Sequence, residues 1–402
     1  MARDAKEGDP GWVFLATLLA VTLTGPMAIH MFLPAIPAVG KAFNVSQPTA
    51  QSAFSIALFT MAFATLIFGS LSDRFGRRPV LLAGLALFTL GAAIGTYAPD
   101  IPTLLAGRFL QGAGAACGVV LARAILRDVY GVDRLVKAIA YLTAAYVLGP
   151  MFAPILGGAL IDSFDWRAEF VFGAAAGAAL TAIAIFFMPE THKKRGRTVG
   201  AGTLLMGYRR LLGSLRFCGF AFQPGFSSAA FFAHASAASF LITNTLGYSA
   251  SEFALYFLFF PAGFMLGNVI AGRVSHRVAP EHMIVLGCSI AFASMVVMAV
   301  LLITGPMTAL VLTIPGGIHT FGQGLSQPNS NTGAIATAPE LAGTSSGIVV
   351  FLQFFLGAVT SQLVGYLADG TPTPMLIVVG AASFLSLAIG SIPLTLKIRA
   401  GR

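Results

Sequence analysis

The chain reads as an all-α polytopic membrane protein with twelve transmembrane helices in two six-helix bundles. Three observations carry this reading. Apolar residues make up 56% of the 402 positions and charged residues only 10%, where soluble domains run near a quarter charged. A water-facing surface has no place for so much apolar area. Apolar stretches of the roughly 20 residues needed to cross a hydrocarbon core recur along the whole chain. One long connection divides them six and six.

In order the stretches are 12–35, 49–70, 79–98, 101–122, 138–161 and 168–188, then 217–241, 251–271, 283–303, 307–327, 344–367 and 375–395. Pro, Gly, Asn or charged residues separate them, as loop ends require. The expected organisation is an N-terminal bundle (1–188), a basic linker (189–216) and a C-terminal bundle (217–402). Met1 to Gly11 mixes both signs of charge and lacks a signal peptide's basic start and small-residue cleavage site. The first stretch is therefore expected to remain as a helix.

The basic residues orient the spans. Arg3 and Lys6 precede the first; Arg74, Arg77 and Arg78 follow the second; Arg123, Arg127, Arg134 and Lys137 follow the fourth. The linker region carries Lys193, Lys194, Arg195, Arg197, Arg209, Arg210 and Arg216. Arg273 and Arg277 follow the eighth span, and Lys397, Arg399 and Arg402 the last. With both termini cytoplasmic, these 21 of the 24 basic residues share one side; Lys41, Arg108 and Arg167 are the exceptions. The net charge of +9 is thus a topology signal, and no nucleic-acid partner is expected. Cys117, Cys218 and Cys288 each fall inside an apolar stretch, as packing residues.

Ile67 to Gly84 (IFGSLSDRFGRRPVLLAG) aligns without gaps on Ile270 to Gly287 (IAGRVSHRVAPEHMIVLG), with Gly69 on Gly272, Arg74 on Arg277 and Gly84 on Gly287. A displaced internal copy indicates two repeated bundles. Transporters of that plan bind substrate near the midplane between repeats and rock one against the other.

GSLSDRFGRR, Gly69 to Arg78, resembles the signature loop between helices two and three of the major facilitator superfamily. GRFLQGAGAA, Gly107 to Ala116, and LGPMFAPILGG, Leu148 to Gly158, resemble the fourth- and fifth-helix motifs of its drug:proton antiporters. LARAILRDVYG, Leu121 to Gly131, and MPETH, Met188 to His192, resemble the bicyclomycin- and chloramphenicol-resistance branch. The resemblance spans the chain and is densest in the first half. It implies proton-coupled efflux of small apolar drug-like compounds by a monomer in the bacterial inner membrane, driven by the proton gradient without a cofactor.

In the signature loop, Gly69, Asp73, Arg74, Gly76, Arg77 and Arg78 form a candidate cytoplasmic gate. Asp73 can accept hydrogen bonds from arginines and from a facing helix N-terminus. Bonds made in one state only would bias the equilibrium between states. Alternatively, the arginines merely hold the loop inside.

Arg108 lies about two turns into the fourth span, given a rise of about 1.5 Å per residue. At that depth a charge must face a cavity or a partner. The resemblance implies a role in proton coupling, with Gln111 on the same helix face; the alternative is that Arg108 ties down carbonyls of the first span. In that span the branch typically has an aspartate where AIHMFLP, Ala28 to Pro34, has His30. No Asp or Glu is expected deep within a span, since Asp128, Asp162, Glu252 and Asp369 fall near ends or in loops. His30 is then the candidate proton carrier. Where it shares the central cavity with Arg108, its protonation adds positive charge there and favours neutral, zwitterionic or anionic substrates. The alternative is a histidine hydrogen-bonded in a helix interface.

Gly149, Pro150, Pro154, Gly157 and Gly158 form the fifth-helix antiporter motif. Its prolines bend the helix and its glycines admit a close neighbour. In the second half, Gln223, His234, Asn244, Asn268, His319, Gln323 and Gln353 either pack helices or line a substrate cavity. Val311 stands where the repeat would place an arginine, so coupling is expected in the first half. There is no GxxxxGK[ST] and no metal or nucleophile motif, so neither enzymatic activity nor a metal is expected. The alternative to efflux is gradient-driven uptake or facilitated passage of a polar or anionic metabolite.

Overall fold

The computed structural model describes residues 11–130, 132–192 and 201–400, and every regular element among them is helical. Arg3, Lys6, Lys193, Lys194, Arg195, Arg197 and Arg402, used above for topology, lie outside the described residues, as does the Arg134 side chain. The first half comprises α1 (Gly11–Thr22), α2 (Thr24–His30), α3 (Ala35–Phe43), α4 (Gln47–Phe75), α5 (Arg77–Thr96), α6 (Ile101–Val129), α7 (Val132–Ser163) and α8 (Ala168–Phe187). After α9 (Ala201–Leu212), within the expected linker, come α10 (Leu215–Phe240), α11 (Ala250–Phe257), α12 (Phe259–Val274), α13 (Pro280–Thr304), α14 (Ala309–Thr337), α15 (Ala342–Leu367), α16 (Thr373–Gly390) and α17 (Ile392–Ala400).

Proline accounts for most of the breaks. Its ring clashes with the carbonyl four residues earlier and it donates no amide hydrogen bond. Pro26, Pro34 and Pro37 divide the first span into α1, α2 and α3, and Pro261 separates α11 from α12. Eleven helices among the described residues are long and apolar enough to cross a membrane. The tenth expected span, α14, falls short because it carries His319, Thr320, Gln323, Ser326, Asn329 and Ser330. It buries all six against its neighbours, so polarity there marks an interior helix. α4, α6 and α14 have 29 residues each, about 44 Å at 1.5 Å per residue. They overrun the expected span ends at 70, 122 and 327, since their polar ends are helix-compatible until a breaker such as Gly76 intervenes.

Within the first half α6 packs on α4 and α5, and α8 on α5; within the second, α10 packs on α15 and α16, and α14 on α12 and α13. The internal repeat is visible in this packing. A Cβ on Gly84 of α5 would meet Cys117 of α6, and one on Gly287 of α13 would meet the Gly322 carbonyl of α14. The aligned glycines thus bring equivalent helix pairs together. Between the halves, α4 runs along α15 and α7 meets α11. Hydrogen bonds joining the halves gather at one end: Ser239 to the Leu33 carbonyl (2.7 Å), Ser55 with Ser361 (3.1 Å), and Gln362 to the Pro48 carbonyl (3.1 Å). There too the Asp162 carboxylate accepts from the amides of Ala250 (3.2 Å) and Ser251 (2.8 Å).

Candidate functional site

Arg108 is the largest fully buried side chain among the described residues, 1% exposed. Its Nε donates to the Ala53 carbonyl (2.9 Å) and its Nη1 to Gln111 Oε1 (2.6 Å). Its guanidinium lies 4.2 Å over the Phe32 ring and 5.9 Å from that of Phe170. Inserting an arginine at mid-membrane costs about 2.5–3.5 kcal/mol. Charge-assisted hydrogen bonds of about 1.5–3 kcal/mol each and a desolvated cation–π contact of about 2 kcal/mol offset that cost. The anchoring carbonyl belongs to α4, so the alternative of a first-span carbonyl is not what is found: Phe32, beyond α2, supplies a ring instead. The pairing with Gln111 is as the i, i+3 spacing implies. One donor, Nη2, remains buried without a partner.

One acid at the end of a span was not among those singled out in the sequence. Glu169, second residue of α8, is 5% exposed, and its Oε2 has no hydrogen-bond partner. It interacts electrostatically with Arg108. Its signal was its place inside the 168–188 stretch, where any acid is a functional candidate.

His30 is buried at the end of α2, but its ring faces the second half. It lies 5.9 Å from Phe231, 6.1 Å from Phe232 and 6.3 Å from Phe257. Phe257 stacks on Phe260 (5.0 Å), which meets His234 edge-on at 4.9 Å. The contacts of His30 and Arg108 are made by different elements. Arg108 sits among α4, α6 and the Phe32 and Phe170 rings, His30 against α10 and α11.

Of the polar residues in the second half, His234 and Gln323 each find a partner on a facing helix. His234 Nε2 donates to the Leu312 carbonyl (2.8 Å), and Gln323 donates to Ser228 (3.4 Å). Both ring nitrogens of buried His319 lack partners. Gln223 instead is fully engaged: its Nε2 reaches Cys288, Ser326 and Ser386, each at 3.2 Å, and its Oε1 accepts from Ser330 (2.6 Å). It packs four helices. Asn268 bonds its own helix at the Phe264 carbonyl (2.9 Å). No hydrogen bond among the described residues joins Asn244, Asn268 or Gln353 to His234, His319 or Gln323.

In the signature loop Arg77 is the hub. Its Nη1 donates to Asp73 (2.5 Å) and Ser72 (2.6 Å), its Nε to Asp128 (2.8 Å), and its amide to Glu190 (2.9 Å). Gly76 has φ +102°, and a side chain there would meet the Glu190 carboxylate, so glycine is required twice over. Arg78 holds the Ile185 carbonyl (2.6 Å), and Arg74 stacks on Phe75. Gly69 lies near Val120 of α6. The loop therefore ties α4, α6 and the segment after α8 together, all within the first half. Asp128 and Glu190, the acids of LARAILRDVYG and MPETH, were the partners missed.

The antiporter motif sits in one continuous helix, with Pro150 and Pro154 inside α7. A Cβ on Gly149 would meet Pro26, one on Gly157 the Met31 carbonyl, and one on Gly158 the Ala250 carbonyl. Its glycines thus seat α7 against the first span on one side and α11 of the other half on the other. Residues 18–361 match the family described as Major Facilitator Superfamily. The chain belongs to that superfamily. This transporter is 28% identical over 381 residues to the Bicyclomycin resistance protein homolog of Haemophilus influenzae, covering 94% of each chain. It is 30% identical over 353 residues to Multidrug resistance protein D of Escherichia coli, covering 87% of each. In fold it is similar to a peptide transporter, POT, crystallised with sulfate (TM-score 0.75, 17% identity, 97% of this chain and 95% of that one).

Proposed function

We propose that this superfamily member exports small, apolar, drug-like compounds in exchange for protons. In this reading it works as a monomer in the bacterial inner membrane with both termini cytoplasmic. Residues 1–188 and 217–402 act as two bundles joined by 189–216, rocking about a substrate site between them. The observation that carries the reading is the aromatic face where the halves meet: His30 against Phe231, Phe232 and Phe257, continued by Phe260 and His234. Rings offer large apolar contact with few directional demands, which suits varied drug-like compounds. The resistance-protein names of two relatives matched over most of their length support it.

Three groups of residues serve the cycle in this reading. Arg108 and Gln111 belong to proton coupling. The Asp73–Arg77 loop holds the first half rigid at its end of the molecule. Gly158 and Asp162 close the opposite end against α11. The test is purified protein in liposomes with an imposed pH gradient and an internal pH dye, challenged singly with antibiotics, organic cations and organic anions. Proton movement triggered by an apolar antibiotic is the expected result. Labelled compound entering with no proton movement for any of them would shift the reading to facilitated passage of a metabolite.

A further inference from the structure

Resting on the antiport reading, we infer that Glu169 is the proton-carrying residue of this transporter, alternating between a neutral acid and a carboxylate facing Arg108. Glu169 and Gly173 are four apart and share one face of α8. A Cβ on Gly173 would stand 3.4 Å from Gln111 Nε2, and Phe170 lies 5.9 Å from the Arg108 guanidinium. That face of α8 is therefore turned to the Arg108–Gln111 face of α6. On the two sides of this approach, Glu169 Oε2 and Arg108 Nη2 are both buried and both without a hydrogen-bond partner.

A guanidinium does not give up its proton in proteins, so only the carboxyl of this pair can load and unload one. A buried carboxylate is tolerated when it faces a counter-charge and is costly when it does not. Uptake of a proton is thereby tied to separation of the two groups, and release to their approach. In each cycle the neutral acid loses H+ to one side of the membrane and the carboxylate regains H+ from the other, while Arg108 stays charged throughout.

The nearby acids and Arg167 are otherwise engaged. Asp100 accepts from the Thr103 amide (2.9 Å), and Asp165 from the Arg167 amide (2.7 Å). Arg167 holds the Ala98 carbonyl (3.0 Å), and Asp162 of α7 is spent on α11. His30 of α2 is turned into the aromatic face. α1 has no titratable residue, and those of α5 lie at its opposite end.

Infrared difference spectra of the full-length protein across pH read a protonated carboxyl directly. The expected result is a titrating carbonyl band in the wild type that is absent in Glu169→Gln and present, shifted, in Glu169→Asp. In liposomes, chloramphenicol-triggered proton movement is expected to vanish in Glu169→Gln and to persist at a reduced rate in Glu169→Asp. Gradient-free exchange of labelled chloramphenicol should survive in both, which also reports that they fold. A titrating band unchanged in Glu169→Gln, or proton movement there at the wild-type rate, overturns the assignment. If the band behaves as expected but no compound moves protons in the wild type, the antiport reading falls and the proton site at Glu169 stands.

Discussion

Arg77 Nε donates to Asp128 Oδ2 at 2.8 Å while its Nη1 holds Asp73, so one guanidinium bonds two carboxylates on different helices. Arg77 is 8% exposed, but the Asp73 and Asp128 side chains are 52% and 21% exposed, and solvent screens part of the pairing. Arg77→Gln is expected to cost about 1–3 kcal/mol, the range for leaving a polar group unsatisfied. Asp128→Asn should cost less, and the double variant less than the sum of the two, because the groups share one network. Thermal unfolding of the four proteins in detergent measures the coupling; strict additivity would show that the pair carries no energy.

Arg108→Ala is expected to abolish active transport while leaving expression intact, because it removes the charge while the Phe32 and Phe170 rings that pack on it remain. Arg108→Lys should rescue poorly: an ammonium lacks the planar fork that reaches Ala53 and Gln111 while stacking on Phe32. Drug accumulation in cells and proton movement in liposomes read both variants. Full activity in Arg108→Ala would remove it from the mechanism.

His30 separates two mechanisms. If it only shapes the substrate site, His30→Gln changes which compounds are exported, several-fold in relative rate, while drug-triggered proton movement persists. If it carries the proton, the variant loses its dependence on the pH gradient for every compound. The face it presents to Phe231, Phe232 and Phe257 favours the first outcome.

Gly158 has no room for a side chain, since its Cβ would lie 2.7 Å from the Ala250 carbonyl. Gly158→Val and Asp162→Ala should each loosen the Asp162 end and shift the transporter toward states open there. A Ser55→Cys, Ser361→Cys pair, whose hydroxyls now lie 3.1 Å apart, reports this as slower cross-linking. Unchanged cross-linking in both backgrounds would show that the α7–α11 contact does not control closure.

Gln223 is a packing clamp. Interhelical hydrogen bonds within membranes average about 0.6 kcal/mol each, so losing the two bonds its amide hydrogens can donate and the one its oxygen accepts in Gln223→Leu should cost about 2 kcal/mol. That loss appears as a lower unfolding temperature with substrate preference unchanged. A changed preference at normal stability would instead place Gln223 at the substrate.

Span number and helical class follow from composition and period, because a bilayer forces every backbone group to bond within its own helix. The twelve stretches appear in the structure with shifted ends. Motif glycines and the buried arginine were also legible, since close approach and intramembrane charge leave few other residue choices. Partnership was not legible. Nothing in the order of residues says that Asp128 and Glu190 meet Arg77, that His30 packs on Phe231 and Phe232, or that the Glu169 carboxyl is buried without a partner. Nor does polarity distinguish the satisfied Gln223 from the unsatisfied His319. Those outcomes depend on how helices distant in the chain are rotated against one another. Side-chain packing across the whole bundle sets that rotation, and no local stretch contains it.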